Sequence, residues 1–165
     1  MTIKTWIKTL ENSRSIRCLE MYLDKKKIVG CETYWAVINT QTRRPDALAL
    51  PHDHFEKFQI DATKQPTLKI EISATANAIG QRKVVLSDLD VVNHANNVKY
   101  MEWCLDYENP ERIIQQDVKA FDINFMRELN LNDQATIHLV KNEENSTFGI
   151  TKENKNAYVL QIEWK

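Results

Sequence analysis

The sequence predicts an α+β fold, an antiparallel sheet curling around one long helix, and three observations carry that reading. Segments rich in Ile, Val, Tyr, Trp and Thr lie on both sides of a single helical pattern that begins near Asn96. With only 3 glycines and 4 prolines in 165 residues, most of the chain must lie in long elements joined by polar turns. Finally, 42% hydrophobic residues is enough for a real core. The order strand, helix, then several strands suits an α+β layering.

Residues 13–23 and 28–39 have strand composition, and the Asp24-Lys-Lys-Lys27 turn between them predicts a long antiparallel hairpin. Residues 40–66 hold Arg43, Arg44, Pro45, Pro51, His52, His54 and Pro66, which predicts an irregular or short-helical connection and a domain boundary. Within it, the spacing of His54, Phe55 and Phe58 suits a short helix. After Pro66, residues 81–86 read as a strand leading into a polar stretch and a helix of about 12 residues, capped by Asn93 or Asn96. Val98, Met101 and Leu105, with Trp103 beside them, form its expected apolar stripe, leaving Lys99, Glu102 and Asp106 to water. Residues 117–128, 134–143 and 157–164 read as further strands, separated by polar turns at 130–133 and 143–146.

Charge excludes some classes of function. Lys and Arg number 22 against 23 Asp and Glu, a formal net charge of −1, so nothing general favours nucleic acid or an anionic membrane. No apolar run approaches the roughly 20 residues of a membrane span and the first residues lack a signal-peptide pattern, so a cytoplasmic location is expected. Cys18, Cys31 and Cys104 are odd in number and lack CxxC spacing, which argues for three reduced thiols rather than a disulfide framework or zinc cluster.

Residues 88–103 concentrate the chemistry: Asp88, Asp90, Asn93, His94, Asn96 and Asn97 stand just ahead of Tyr100 and Trp103. Backbone N–H groups at a helix start, here around Asn96 and Asn97, have no partner within the helix and carry its positive dipole end, so they suit a developing oxyanion. His94 is of the type that relays a proton or orients water, with Asp90 to fix its tautomer. The same residues also suit a hydrogen-bonded turn and helix cap, and Tyr100 and Trp103 at three-residue spacing suit packing. A metal is not expected: Asp88 and Asp90 share one strand face with His94 beyond a turn, and His52 and His54 have no third partner at hand.

The run Asp88-x-Asp90-x-x-Asn93-His94-x-Asn96-Asn97-x-x-Tyr100-x-x-Trp103 resembles the signature of the acyl-acyl carrier protein thioesterases of plants and bacteria, members of the hot-dog superfamily. Thr5-Trp6, Trp35 and the stretch Thr42, Arg43, Arg44, Pro45 resemble that family's upstream landmarks in the same order. The resemblance implies a hot-dog fold in tandem units, with residues 1–60 as a partial first unit, N-terminally truncated, and residues 67–165 as a nearly complete second. It also implies hydrolysis of fatty acyl thioesters to free acid and carrier thiol in fatty acid biosynthesis, with water as nucleophile and no metal or organic cofactor. The carried-over site is Asp90, His94 and Glu128 as catalytic groups, Glu128 being the position that aligns with the family's functional acid. Asn93, Asn96 and Asn97 fall at its oxyanion and substrate-binding positions. Arg43 and Arg44 are candidates to steer an acidic acyl carrier protein. The chain departs from the pattern at Val92, where the plant enzymes have Asn, and at Leu129, where a cysteine is common, so no cysteine nucleophile is expected. A coenzyme A thioesterase and a non-catalytic acyl-binding protein share the same core pattern and stay open as alternatives. A homo-oligomer is expected, because a first unit without its own helix leaves apolar sheet surface to cover.

Overall fold

The computed structural model describes residues 1–42, 44–49, 51–66, 69–72, 76–115 and 118–165. The chain divides into two compact units, Met1–Thr67 and Leu68–Lys165.

The first unit is an antiparallel meander of β1 (Thr2–Glu11), β2 (Arg14–Leu23) and β3 (Lys26–Ala36). The hairpin of β2 and β3 is the one the composition predicts, turning at Asp24 and Lys25, both with positive φ. Strand β1 was not anticipated, although Ile3, Thr5 and Ile7 alternate with Lys4, Trp6 and Lys8 at the period of a strand. The irregular segment after β3 returns across one sheet face: Ile60 O accepts from Trp6 Nε1 at 3.0 Å and from the Cys18 thiol at 3.6 Å. Glu32 Oε1 accepts the Ala62 N–H at 3.0 Å, and the Ala62 carbonyl sits where a Cβ on residue 30 would be, so only glycine fits there. No helix forms around His54 and Phe58 among the described residues; backbone bonds such as Phe58 N–H to Ile7 O at 2.9 Å hold this stretch extended along the sheet instead.

The second unit is a five-stranded antiparallel sheet in the order β4 (Asn77–Lys83), β6 (Gln134–Lys141), β7 (Asn145–Lys152), β8 (Lys155–Trp164) and β5 (Val118–Phe125). Strands β4 and β5 are consecutive in sequence and occupy opposite edges, so the connection between them, which carries α1 (Asn97–Leu105) and α2 (Pro110–Ile114), must cross the sheet. Cross-strand register aligns Phe125, Tyr158, Ile150 and Ile137 in one inward row, and Ile123, Leu160, Phe148 and Leu139 in the next. Tyr100, Trp103 and Cys104 of α1 are buried in the same core. The Tyr100 ring lies 5.4 Å from Tyr158 and 5.9 Å from Phe125 between centroids, the second pair edge to face. Behind the sheet, Ile70 N–H donates to Asn124 Oδ1 at 2.7 Å and Ile72 covers Gly149.

Three expectations need correction here. Helix α1 has 9 residues, because the chain turns at Asp106 and restarts as the short α2, capped by Asn109 with Pro110 behind it. Its buried face is Tyr100, Trp103 and Cys104, whereas Val98 is 53% exposed on the first turn. Strand β7 falls where residues 143–146 were read as a separator; a tight turn at Asn142 with an Asx bond to Asn145 N–H at 2.7 Å lets the strand begin at once.

Candidate active site

Between β4 and α1 the chain builds a small hairpin, and the motif residues are its parts. Leu86–Asp88 form a single 3-10 turn, and the buried Asp88 carboxylate accepts the Val85 N–H at 2.9 Å with Arg82 at 3.6 Å. Leu89 bridges to Ala95, Asp90 N–H donates to His94 O at 2.8 Å, and Asn93 N–H donates to Asp90 O at 3.1 Å. This is a three-residue hairpin loop whose last position needs a left-handed backbone, and Asn93 fills it with φ 64°. Asp90 Oδ1 accepts from Val92 N–H at 2.9 Å and His94 N–H at 3.2 Å, so the contacts of this carboxylate are to the loop backbone.

The loop delivers the chain to α1 in a defined pose. Asn96 is the N-cap, its Oδ1 accepting from Val98 N–H at 3.0 Å, while Lys99 N–H donates to Asn96 O at 2.8 Å. Asn96 N–H is spent on Asp88 O at 2.8 Å, which removes it from the expected oxyanion hole. Asn97 N–H has no acceptor among the described residues, and no acidic residue stands in the first turn to offset the helix dipole.

Opposite the loop runs the segment after β5. Ala95 N–H donates to Leu129 O at 2.8 Å, Leu129 N–H donates to the buried Tyr100 Oη at 2.9 Å, and His94 bridges to Asn130. Residue 130 therefore stands opposite residue 94 with residue 128 diagonal to it, and His94 Nε2 lies 3.7 Å from Glu128 Oε2. That spacing exceeds a direct hydrogen bond. The side chains are 33% and 45% exposed, so solvent reaches both. The imidazole thus faces Glu128, not Asp90 as the sequence suggested.

Sequence reasoning read Tyr100 as packing only and missed its hydroxyl bond; a buried tyrosine needing a partner for its polar end was the available signal. Burial pushes the Tyr100 hydroxyl above its ordinary pKa, opposed by the Leu129 N–H and reinforced by Glu128, Asp133 and Asp90, so it stays a neutral phenol. Cys104 is fully buried and its thiol is pushed up to about 12 by desolvation, which makes it inert. Arg44 is exposed in the first unit, and Arg43 lies outside the described residues. The space between α1 and the sheet is filled by Tyr100, Trp103 and Tyr158. A cavity of about 280 Å³ opens instead at the far end of α1, lined by Gln81, Arg82, Trp103, Asp106, Tyr107 and Ile137.

A sheet in this order with one helix crossing its inner face, α1 led in by a polar hairpin, is the hot-dog fold. A family model described as the acyl-ACP thioesterase C-terminal domain matches residues 72–165. The chain belongs to that family. It is 34% identical over 113 residues to the chloroplastic palmitoyl-acyl carrier protein thioesterase of Cuphea hookeriana, a match spanning 61% of this chain and 26% of that protein. The match therefore covers about a quarter of the plant relative's length. An acyl-ACP thioesterase from Bacteroides thetaiotaomicron superposes with TM-score 0.86 at 19% identity, over 99% of this chain and 68% of that one. The 12:0-ACP thioesterase from Umbellularia californica gives TM-score 0.79 at 18% identity, over 99% and 66%. These two likenesses are of fold.

Proposed function

We propose that this chain hydrolyses fatty acyl thioesters carried on acyl carrier protein, releasing the free acid and the carrier thiol. The observation that carries the reading is the imidazole of His94 3.7 Å from the Glu128 carboxylate, beside a helix start with an uncommitted Asn97 N–H. Water is a poor nucleophile until a base takes its proton in the transition state, and the His94 and Glu128 pair supplies acceptor and orienter together. The water oxygen adds to the thioester carbonyl carbon, the oxyanion forms against Asn97 N–H, and the C–S bond breaks with the proton passing to the leaving sulfur. Asp90, bonded to loop backbone, positions His94 rather than touching substrate. Asn93 shapes the loop and Asn96 caps the helix, which leaves the Asn96 amide NH2 as a substrate donor. Membership of the family and the palmitoyl-ACP thioesterase relative support the carrier protein as the substrate's other half. Arg43 and Arg44 supply positive charge for that acidic partner.

On the same reading, unit 2 is the catalytic hot-dog unit and the β1–β3 meander is part of another. No helix among the described residues is long and apolar enough to cross a membrane, and the cytoplasm is the location proposed for the chain beside a freely diffusing carrier. Exposed Ile3, Val29 and Trp35 on the first unit support association with a second copy. The test is steady-state hydrolysis of an acyl chain-length series on carrier protein and on coenzyme A, with His94→Ala as control. Turnover on the carrier-protein series, lost at least about a hundredfold in the control, is expected. Wild-type chain inert on both carriers refutes the reading, and turnover confined to coenzyme A refutes the carrier assignment.

A further inference from the structure

We infer that Tyr100 is a positioning residue for the acid of this site, acting through the Leu129 peptide, an inference that rests on the function proposed above for His94 and Glu128. The Leu129 backbone is held on both sides: its carbonyl accepts from Ala95 N–H at 2.8 Å, and its N–H donates to Tyr100 Oη at 2.9 Å. Ala95 directly follows His94, and Leu129 directly follows Glu128. The two bonds therefore fix the register in which Asn130 stands opposite His94 and Glu128, two residues earlier and diagonal to it, brings its carboxylate to 3.7 Å from the imidazole. Slipping the strand by a single residue would turn Glu128 to the other side.

Tyr100 is suited to hold that register rigidly. It is 2% exposed, and its ring is packed against Trp103, Phe125 and Tyr158. The hydroxyl is thus carried by a buried, packed ring. Glu128 itself is half-exposed and lies beyond the end of β5 at Phe125. Without the hydroxyl, the segment keeps the Ala95 bond and gains a hinge at Leu129 N–H. A phenylalanine would preserve every ring contact and remove only the acceptor, so a purely packing role for Tyr100 predicts no change in catalysis.

The experiment compares wild-type chain, Tyr100→Phe, Glu128→Gln and the double variant. Hydrolysis of palmitoyl-acyl carrier protein and palmitoyl-coenzyme A is read together with amide hydrogen exchange and a crystal structure of Tyr100→Phe. We expect kcat to fall about 10- to 100-fold with KM within about twofold, as for loss of alignment at the reacting groups rather than of substrate binding. The double variant should be no slower than Glu128→Gln alone, because both changes disable the same group. Exchange at the Leu129 amide should accelerate at least about tenfold in Tyr100→Phe, and the imidazole to carboxylate separation should widen. Wild-type kcat in Tyr100→Phe, with Glu128→Gln inactive, overturns this inference and leaves the thioesterase reading standing. Full additivity in the double variant overturns it also. A wild-type chain inert on both thioesters sinks the function reading instead, and the positioning claim is then decided by exchange and by the crystal structure, where an unchanged 3.7 Å separation refutes it. Should the variant fail to fold, wild-type exchange decides: a Leu129 amide no more protected than that of Glu128 refutes the clamp.

Discussion

Replacing Glu128 by Gln separates a catalytic from a structural role, because the geometry predicts effects of very different size. The substitution keeps shape and removes the charge and the proton-accepting capacity. At 3.7 Å, a unit charge pair is worth about 1 kcal/mol if screened as in water, and the 33% and 45% exposure of the two side chains puts them near that limit. The stability cost should therefore stay below about 1 kcal/mol, a melting shift of about 2–4 °C for a chain this size. Losing general acid-base help costs about 10²- to 10⁴-fold in rate, or about 2.7–5.4 kcal/mol of barrier. The two readouts thus differ severalfold in free energy. Thermal melting and single-turnover hydrolysis of palmitoyl-acyl carrier protein measure both on the same sample, with His94→Ala in parallel. A Glu128→Gln variant with near wild-type turnover would falsify the catalytic assignment. A large loss of turnover accompanied by a fall of more than about 10 °C in melting temperature would also refute it, since the carboxylate would then be a structural strut.

Three further outcomes follow from local geometry. Asn93→Gly should be tolerated, whereas Asn93→Val should cost about 1–2 kcal/mol in urea unfolding, because residue 93 is left-handed with φ 64°. Glu108 is almost fully buried, and burial alone would raise its carboxyl pKa; the Lys141 ammonium at 2.7 Å, the Asn109 N–H and the Ser146 hydroxyl outweigh that and hold it below the usual range. A depressed native pKa means stability that is present above the ordinary value of 4.5 and lost as pH falls through the native one, so acid melting should show that loss in wild type. Lys141→Met should cost about 1–3 kcal/mol at neutral pH and flatten the acid limb; an unchanged limb would remove Glu108 as its source. Gly30→Ala should free residues 58–63 from the first sheet, seen as faster proteolysis there with the second unit's melting unchanged, because a Cβ runs into the Ala62 carbonyl.

What was legible in the chain, and what was not, follows from where each signal is generated. The β2–β3 hairpin and strands β5, β6 and β8 were readable because their β-branched and aromatic residues declare themselves locally. Strand β7 opens with Asn145 and Ser146 and carries Gly149, poor strand formers, and is a strand because β6 and β8 flank it and Ile72 needs the space over the glycine. No local propensity records that. The stripe of α1 was right for Met101, Trp103 and Leu105, which belong to or pack against the core, and wrong for Val98, because Val98 satisfies helical spacing as well as Tyr100 and Cys104 do and only the sheet's position chooses between them. The site shows the same limit in sharper form. Asp, Asn and His are the residues both of polar catalysis and of tight turns and caps, so residues 88–97 signalled a site by a composition that the fold spends mostly on scaffold: Asp88 on Val85, Asp90 on two loop amides, Asn93 on a left-handed turn, Asn96 on the helix cap. In that run the His94 imidazole and the Asn97 N–H are among the groups not spent on the scaffold, and the partner proposed to share their chemistry stands 34 residues beyond His94, at Glu128. A dense polar motif is therefore better read as the mould of an active site than as its contents, and the reactive groups are those the mould leaves unpaired.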